Sequence, residues 1–173
     1  MLFDSHAHVG VDAFEEDREA VIQRARAAGV VGWLEVGTDL AQSRVAIALA
    51  QQYEFVFATV GVHPSDIAGL TEKDWQQIEE LLGHPKVVAV GEVGFDFYRG
   101  KDIGKQAEVL RRFLEIADTH SLPVVFHVRS SSNADGHAEL LRLLRERKSA
   151  GHHTHGVVHT FSGTQDQANE YIT

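Results

Sequence analysis

The chain has 173 residues, a formal net charge of −9 and no cysteine, which excludes disulfides and thiolate chemistry and argues against broad electrostatic capture of nucleic acid. Hydrophobic content of 43% and charged content of 24% are ordinary for a soluble globular protein, and the length suits one domain with a substantial core. There is no long apolar run and no charged-then-apolar leader, so neither a membrane span nor a signal peptide is expected, and a cysteine-free chain suits a reducing cytoplasm.

The first element is an apolar strand that opens at Leu2-Phe3 and runs into Asp4-Ser5-His6-Ala7-His8. Side chains alternate along a strand, so His6 and His8 leave by one face, where two neutral imidazoles can hold one divalent ion. Asp12-x-x-Glu15 reads as a capping box for a helix that ends before Gly29. Val30 to Val36 is the second strand, stopped by Gly37, and a helix follows from about Asp39 to Tyr53. The third strand, Phe55 to Val62, ends in Gly61-Val62-His63-Pro64, after which Thr71-x-x-Asp74 caps a helix with Trp75, Ile78 and Leu82 on one face.

Val87 to Val93 is the fourth strand, followed by a helix whose buried face is Leu110, Phe113, Leu114 and Ala117. Pro123 to Val128 is the fifth, and Leu140, Leu141 and Leu144 mark the next helix. Val157 to Phe161 is the sixth, with a last helix beginning near Thr164. Of eleven histidines, His152, His153 and His155 crowd one stretch, expected to be a solvated loop able to bind stray metal. Strands that are apolar throughout imply a parallel sheet covered on both sides, and repeated strand–helix units imply an α/β fold. Polar residues at the ends of several strands favour a (β/α)8 barrel of the TIM type, of which about six of eight units are present in residues 1–173, read as one incomplete domain.

Those strand ends carry His6, His8, His63, Glu92, His127 and His159. In a parallel barrel they converge on one face, and four histidines with a carboxylate suit one or two borderline divalent ions such as zinc, manganese or cobalt. Glu92, inside Val90-Gly91-Glu92-Val93-Gly94, is the most telling, because an acid in an apolar strand is costly to bury unless it is paired or bound to metal. Its two oxygens allow it to bridge two ions. The competing reading pairs it with an arginine such as Arg129. For His63, lining the pocket and packing beside Pro64 are both open. Arg99 and Arg129 have the forked geometry to hold phosphate oxygens, against surface ion pairing, and Asp96 is read either as contacting substrate or an arginine or as a loop cap.

Five blocks in order carry a specific resemblance: Asp4-Ser5-His6-Ala7-His8; Gly61-Val62-His63-Pro64; Gly91-Glu92-Val93-Gly94-Phe95-Asp96-Phe97-Tyr98-Arg99; Pro123 to Arg129; and His159-Thr160-Phe161-Ser162-Gly163. The chain resembles the TatD family of metal-dependent deoxyribonucleases in the amidohydrolase-like superfamily. The resemblance implies a (β/α)8 barrel with two divalent ions (zinc, magnesium or manganese), His6 and His8 on one, His127 and His159 on the other, and Glu92 between them, bridging both and the bound water. It also implies DNA as substrate, near His63, Asp96, Arg99 and Arg129. Thr160 stands where the family often has cysteine, and Phe97 where it often has tyrosine. The family's further aspartate ligand, on the eighth strand, has no counterpart here. The chain is therefore expected to be a fragment of a protein of roughly 260 residues, whose open sheet edges favour self-association. Two other readings are an amidohydrolase acting on amides or esters and a metal-binding fragment without activity; no strand-end lysine offers a carbamylated bridge, which favours the nuclease.

Overall fold

The computed structural model describes residues 1–100 and 102–172. Six strands, β1 (Leu2–Ala7), β2 (Val30–Glu35), β3 (Val56–Val60), β4 (Val87–Asp96), β5 (Val124–Arg129) and β6 (Gly156–Val158), alternate with helices α1 (Arg18–Ala27), α2 (Leu40–Gln52), α3 (Glu72–Leu82), α4 (Ile103–His120), α5 (Gly136–Ser149) and α6 (Gln165–Tyr171). Every strand pairs in parallel with the next, in the order β1-β2-β3-β4-β5-β6. A doubly wound sheet reverses its order at a switch point, whereas a (β/α)8 barrel does not. The unreversed order therefore makes this six units of such a barrel, with β1 and β6 as the outer strands among the described residues.

Alternation along the strands sorts the core into two faces. Trp33, Val56, Ala58, Val60, Val90, Phe95 and Phe126 pack against Ile78, Leu110, Phe113, Leu114 and Leu140 from the helices. Leu34, Val36, Ala89 and Val125 form a smaller cluster with Phe57 and Val88. Five helices start where their caps say they should: Asp39, Thr71, Asp102, Asp135 and Thr164 each accept a backbone N–H from the first turn, the pairing an N-cap provides.

Three expectations are corrected. Asp12 opens a short 3-10 turn (Asp12–Phe14), and α1 starts only at Arg18. The Arg18 guanidinium binds the carbonyls of Val9, Gly10 and Val11, folding the chain back before a helix can form. β4 runs on to Asp96 because it stays paired with β5, while β6 ends at Val158, so His159 lies just beyond it. Finally, only the central strands are covered on both sides: Leu2 and Phe3 of β1 are 62% and 53% exposed.

Candidate metal centre

The site is built on an irregularity in β4. Its pairing with β5 slips between Val90 and Val93, which places Glu92 in a bulge, a device that re-aims a side chain. The bulge is anchored on every side. Glu92 N–H donates to Gly37 O at 2.7 Å, and Thr59 Oγ1 accepts from Gly37 N–H at 3.0 Å and donates to Gly91 O at 2.5 Å. At Gly91 and Gly94 the chain passes against β5 with φ of +149° and +145°; a Cβ on Gly91 would fall 2.7 Å from Val125 O. Only glycine tolerates both the conformation and the approach.

Around the buried Glu92 carboxylate stand five imidazoles, divided between its two oxygens. Oε2 faces His6 Nε2 at 3.3 Å and His8 Nε2 at 3.7 Å, and these two nitrogens are 3.1 Å apart. Oε1 faces His127 Nδ1 at 2.6 Å, His159 Nε2 at 2.8 Å and His63 Nε2 at 3.8 Å. The rings of His6 and His159 stack at 3.8 Å and close the circle. Among the described residues every ion-pair partner of Glu92 is a histidine, and the pairing with Arg129 is not formed.

Burial pushes the Glu92 carboxyl up, but hydrogen bonds from His127, His159 and His6 outweigh it and hold the group far below the ordinary carboxylate range. Burial, with a neighbouring histidine adding to it, lowers both His8 and His63. Neutral imidazole is the ligating form. The tautomer of His8 follows from its partner, because Nδ1 lies 3.1 Å from the Val36 carbonyl, which can only accept. Nδ1 therefore carries the proton, and the lone pair of Nε2 points at Glu92. Converging ring nitrogens around a buried anion are a donor set that fits borderline divalent ions, and among the described residues two groups satisfy the spacing: His6, His8 and Glu92, and His63, Glu92 and His127.

The remaining candidates lie outside this circle. Asp96 is fully buried and caps the turn after β4 through Oδ1, so it presents no surface to a substrate. Arg99 is exposed in that turn, and Arg129 is exposed with its guanidinium 4.2 Å from the Tyr98 ring centre. His153 and His155 are exposed as expected, but His152 binds Asp118 at 2.7 Å. Sequence reasoning passed over Glu35. Its carboxylate, buried at the end of β2, accepts from the N–H groups of Val9, Gly10 and the Trp33 indole, holding the turn that follows His8. Burial pushes its pKa up against those donors. The signal was present: like Glu92, it is an acid at the end of an apolar strand.

"Uncharacterized metal-dependent hydrolase YabD" of Bacillus subtilis is 36% identical over 173 residues, covering 98% of this chain and 64% of the relative. "3'-5' ssDNA/RNA exonuclease TatD" of Cronobacter sakazakii is 37% identical over 172 residues, 98% of this chain and 62% of the relative. Among solved structures, YJJV, a TatD homolog from Escherichia coli K12, superposes with a TM-score of 0.86 at 32% identity, over 99% of this chain and 64% of that one. The chain thus spans a little under two thirds of the length of these relatives. No helix among the described residues is long and apolar enough to cross a membrane. With residues 3–173 matched by the family described as TatD related DNase, the chain belongs to that family.

Proposed function

We propose that this chain carries the ion-binding part of a divalent-metal-dependent hydrolase that cleaves phosphodiester bonds in DNA. The observation that supports the reading most is the division of labour at Glu92, whose two oxygens serve two separate histidine groups. His6 and His8 would hold one ion, His127 and His159 a second, and Glu92 both. Bound there, two such ions supply Lewis acidity toward phosphate oxygens and lower the pKa of water to near neutral.

The chain's own residues do the rest. Glu92 is fixed by the bulge and needs no rearrangement to face both groups. His63, held through Nδ1 by Ser65 Oγ at 2.6 Å, keeps Nε2 directed at the cage, where it can contact an ion or a phosphate oxygen. Arg129, two residues past His127, and Arg99 are exposed at the same ends of β4 and β5, where a phosphodiester backbone would have to pass. On a chain of net charge −9 such local cations matter more than any general field.

The exonuclease name of the Cronobacter sakazakii relative favours single strands as the form taken. The test is manganese-dependent release of nucleotides from a labelled single-stranded DNA, with the Glu92→Gln variant as control. Release that requires both the ion and Glu92 supports the reading. Metal bound without turnover of any phosphodiester would overturn it, and turnover of cyclic amides instead would assign the cage to amide hydrolysis.

A further inference from the structure

Behind the cage, two buried polar atoms face each other. His127 Nε2 and Asp96 Oδ2 lie 3.5 Å apart, and neither has a hydrogen-bond partner. Leaving either unpaired in the interior is costly, and a small approach would satisfy both at once.

The placement of Asp96 is over-determined. Glu92, Gly94 and Asp96 alternate onto one face of β4, and Gly94 pairs with His127 across the ladder. Because Gly94 has no side chain, the His127 ring sits between two carboxylates, with Nδ1 toward Glu92 and Nε2 toward Asp96. The Asp96 backbone is clamped by the Gln106 amide of α4, which accepts from its N–H at 2.9 Å and donates to its carbonyl at 3.1 Å. Oδ1 accepts from the N–H groups of Tyr98 and Arg99 at 2.9 and 2.8 Å. With Oδ1 and both backbone groups occupied, Oδ2 has one direction left, toward His127.

We propose that Asp96 is a positioning residue for His127: when an ion replaces the Nδ1–H to Glu92 hydrogen bond, Asp96, by accepting from Nε2–H, fixes the tautomer in which the Nδ1 lone pair faces the ion position beside Glu92. The inference rests on the metal-hydrolase reading above. An imidazole whose far nitrogen donates to a carboxylate is held in ring orientation and is a stronger donor at the near one. Asparagine at 96 would retain an oxygen for the Tyr98 and Arg99 amides but turn an N–H toward Nε2, reversing the tautomer. Serine would still accept from the turn while leaving Nε2 without a carboxylate.

The experiment titrates the metal-free chain and its Asp96→Asn and Asp96→Ser variants with cadmium, followed by calorimetry and cadmium-113 NMR, and uses His127→Ala to identify the resonance of the His127 position. The expected result is a loss of affinity of about 10–100-fold confined to that position, with a shifted resonance and an unchanged melting temperature before metal is added. Parent-like affinity and shift in either folded variant would overturn the proposal. So would an equal loss at the His6–His8 position together with a lower metal-free melting temperature, the signature of a purely structural role. A parent chain without any resonance that His127→Ala removes would defeat the metal reading itself, and this proposal with it.

Discussion

The two oxygens of Glu92 look onto two differently built walls. On the Oε1 side, His127 belongs to the inner strand β5, while His159 follows the other outer strand, β6, and is tied to β5 by its N–H, pinned to Phe126 O at 3.1 Å. Asp96 stands behind His127, and Ser65 behind His63. On the Oε2 side, His6 lies on β1, an outer strand whose first four residues are exposed, and His8 lies just after it. That wall is held at its far end, by Glu35 and Arg18 on the turn after His8 and by the Val36 carbonyl on the His8 ring. The two walls thus differ in what stands behind them, the buried strand β5 in one case and the exposed strand β1 in the other. The β5 wall is organised by the core, while the β1 wall depends on a few polar contacts.

Four perturbations would sharpen or break this contrast. Glu92→Gln has the largest expected effect, because it weakens both walls together. Bound metal measured by atomic emission should fall to background, and any nuclease activity should drop by more than the roughly 10–100-fold typical of outlying partners. His127→Ala should empty one position and remove most activity while leaving the His6–His8 position intact; unchanged metal content would count heavily against the site. Glu35→Ala strands three N–H donors, two of them buried, so urea denaturation should show a loss of about 1–3 kcal/mol. The affinity of the β1 wall should fall with it, and that of the β5 wall should not.

The smallest effect is a pH dependence away from the cage. His137, in the first turn of α5, is buried beside Ser162 and Tyr171 of α6, and burial lowers its pKa below the ordinary 6.5, with Asp135 opposing. The folded chain therefore binds fewer protons there than the unfolded one. Stability from this group is present above about pH 6.5 and is lost as the pH falls from there through the lowered folded value. The deficit of His137→Gln relative to the parent, read from urea midpoints, should be smaller at pH 5 than at pH 7.5.

Much of this was legible from residues. The strand ends announced themselves because a histidine or an acid closing an apolar run is anomalous in a core, and the caps at Asp39, Thr71 and Thr164 are local chemistry. What stayed hidden is tertiary. Nothing local says that the Gly91–Glu92 bulge is tied to Gly37 and Thr59, elements far away in sequence. The capping box at Asp12 was a sound local signal that lost to Arg18, which draws three carbonyls into a turn instead. Asp96 was legible as an acid near the site, but its direction depends on Gln106 of the following helix.

The central claim is that one carboxylate separates two ion positions of unequal rigidity. Anomalous diffraction from a manganese-soaked crystal of the chain tests it most directly. The account predicts manganese peaks on both sides of Glu92, one within ligand reach of His6 and His8 and the other of His127 and His159, the latter better ordered. Manganese found only away from Glu92, or a single ion held by histidines with Glu92 turned aside, would contradict it.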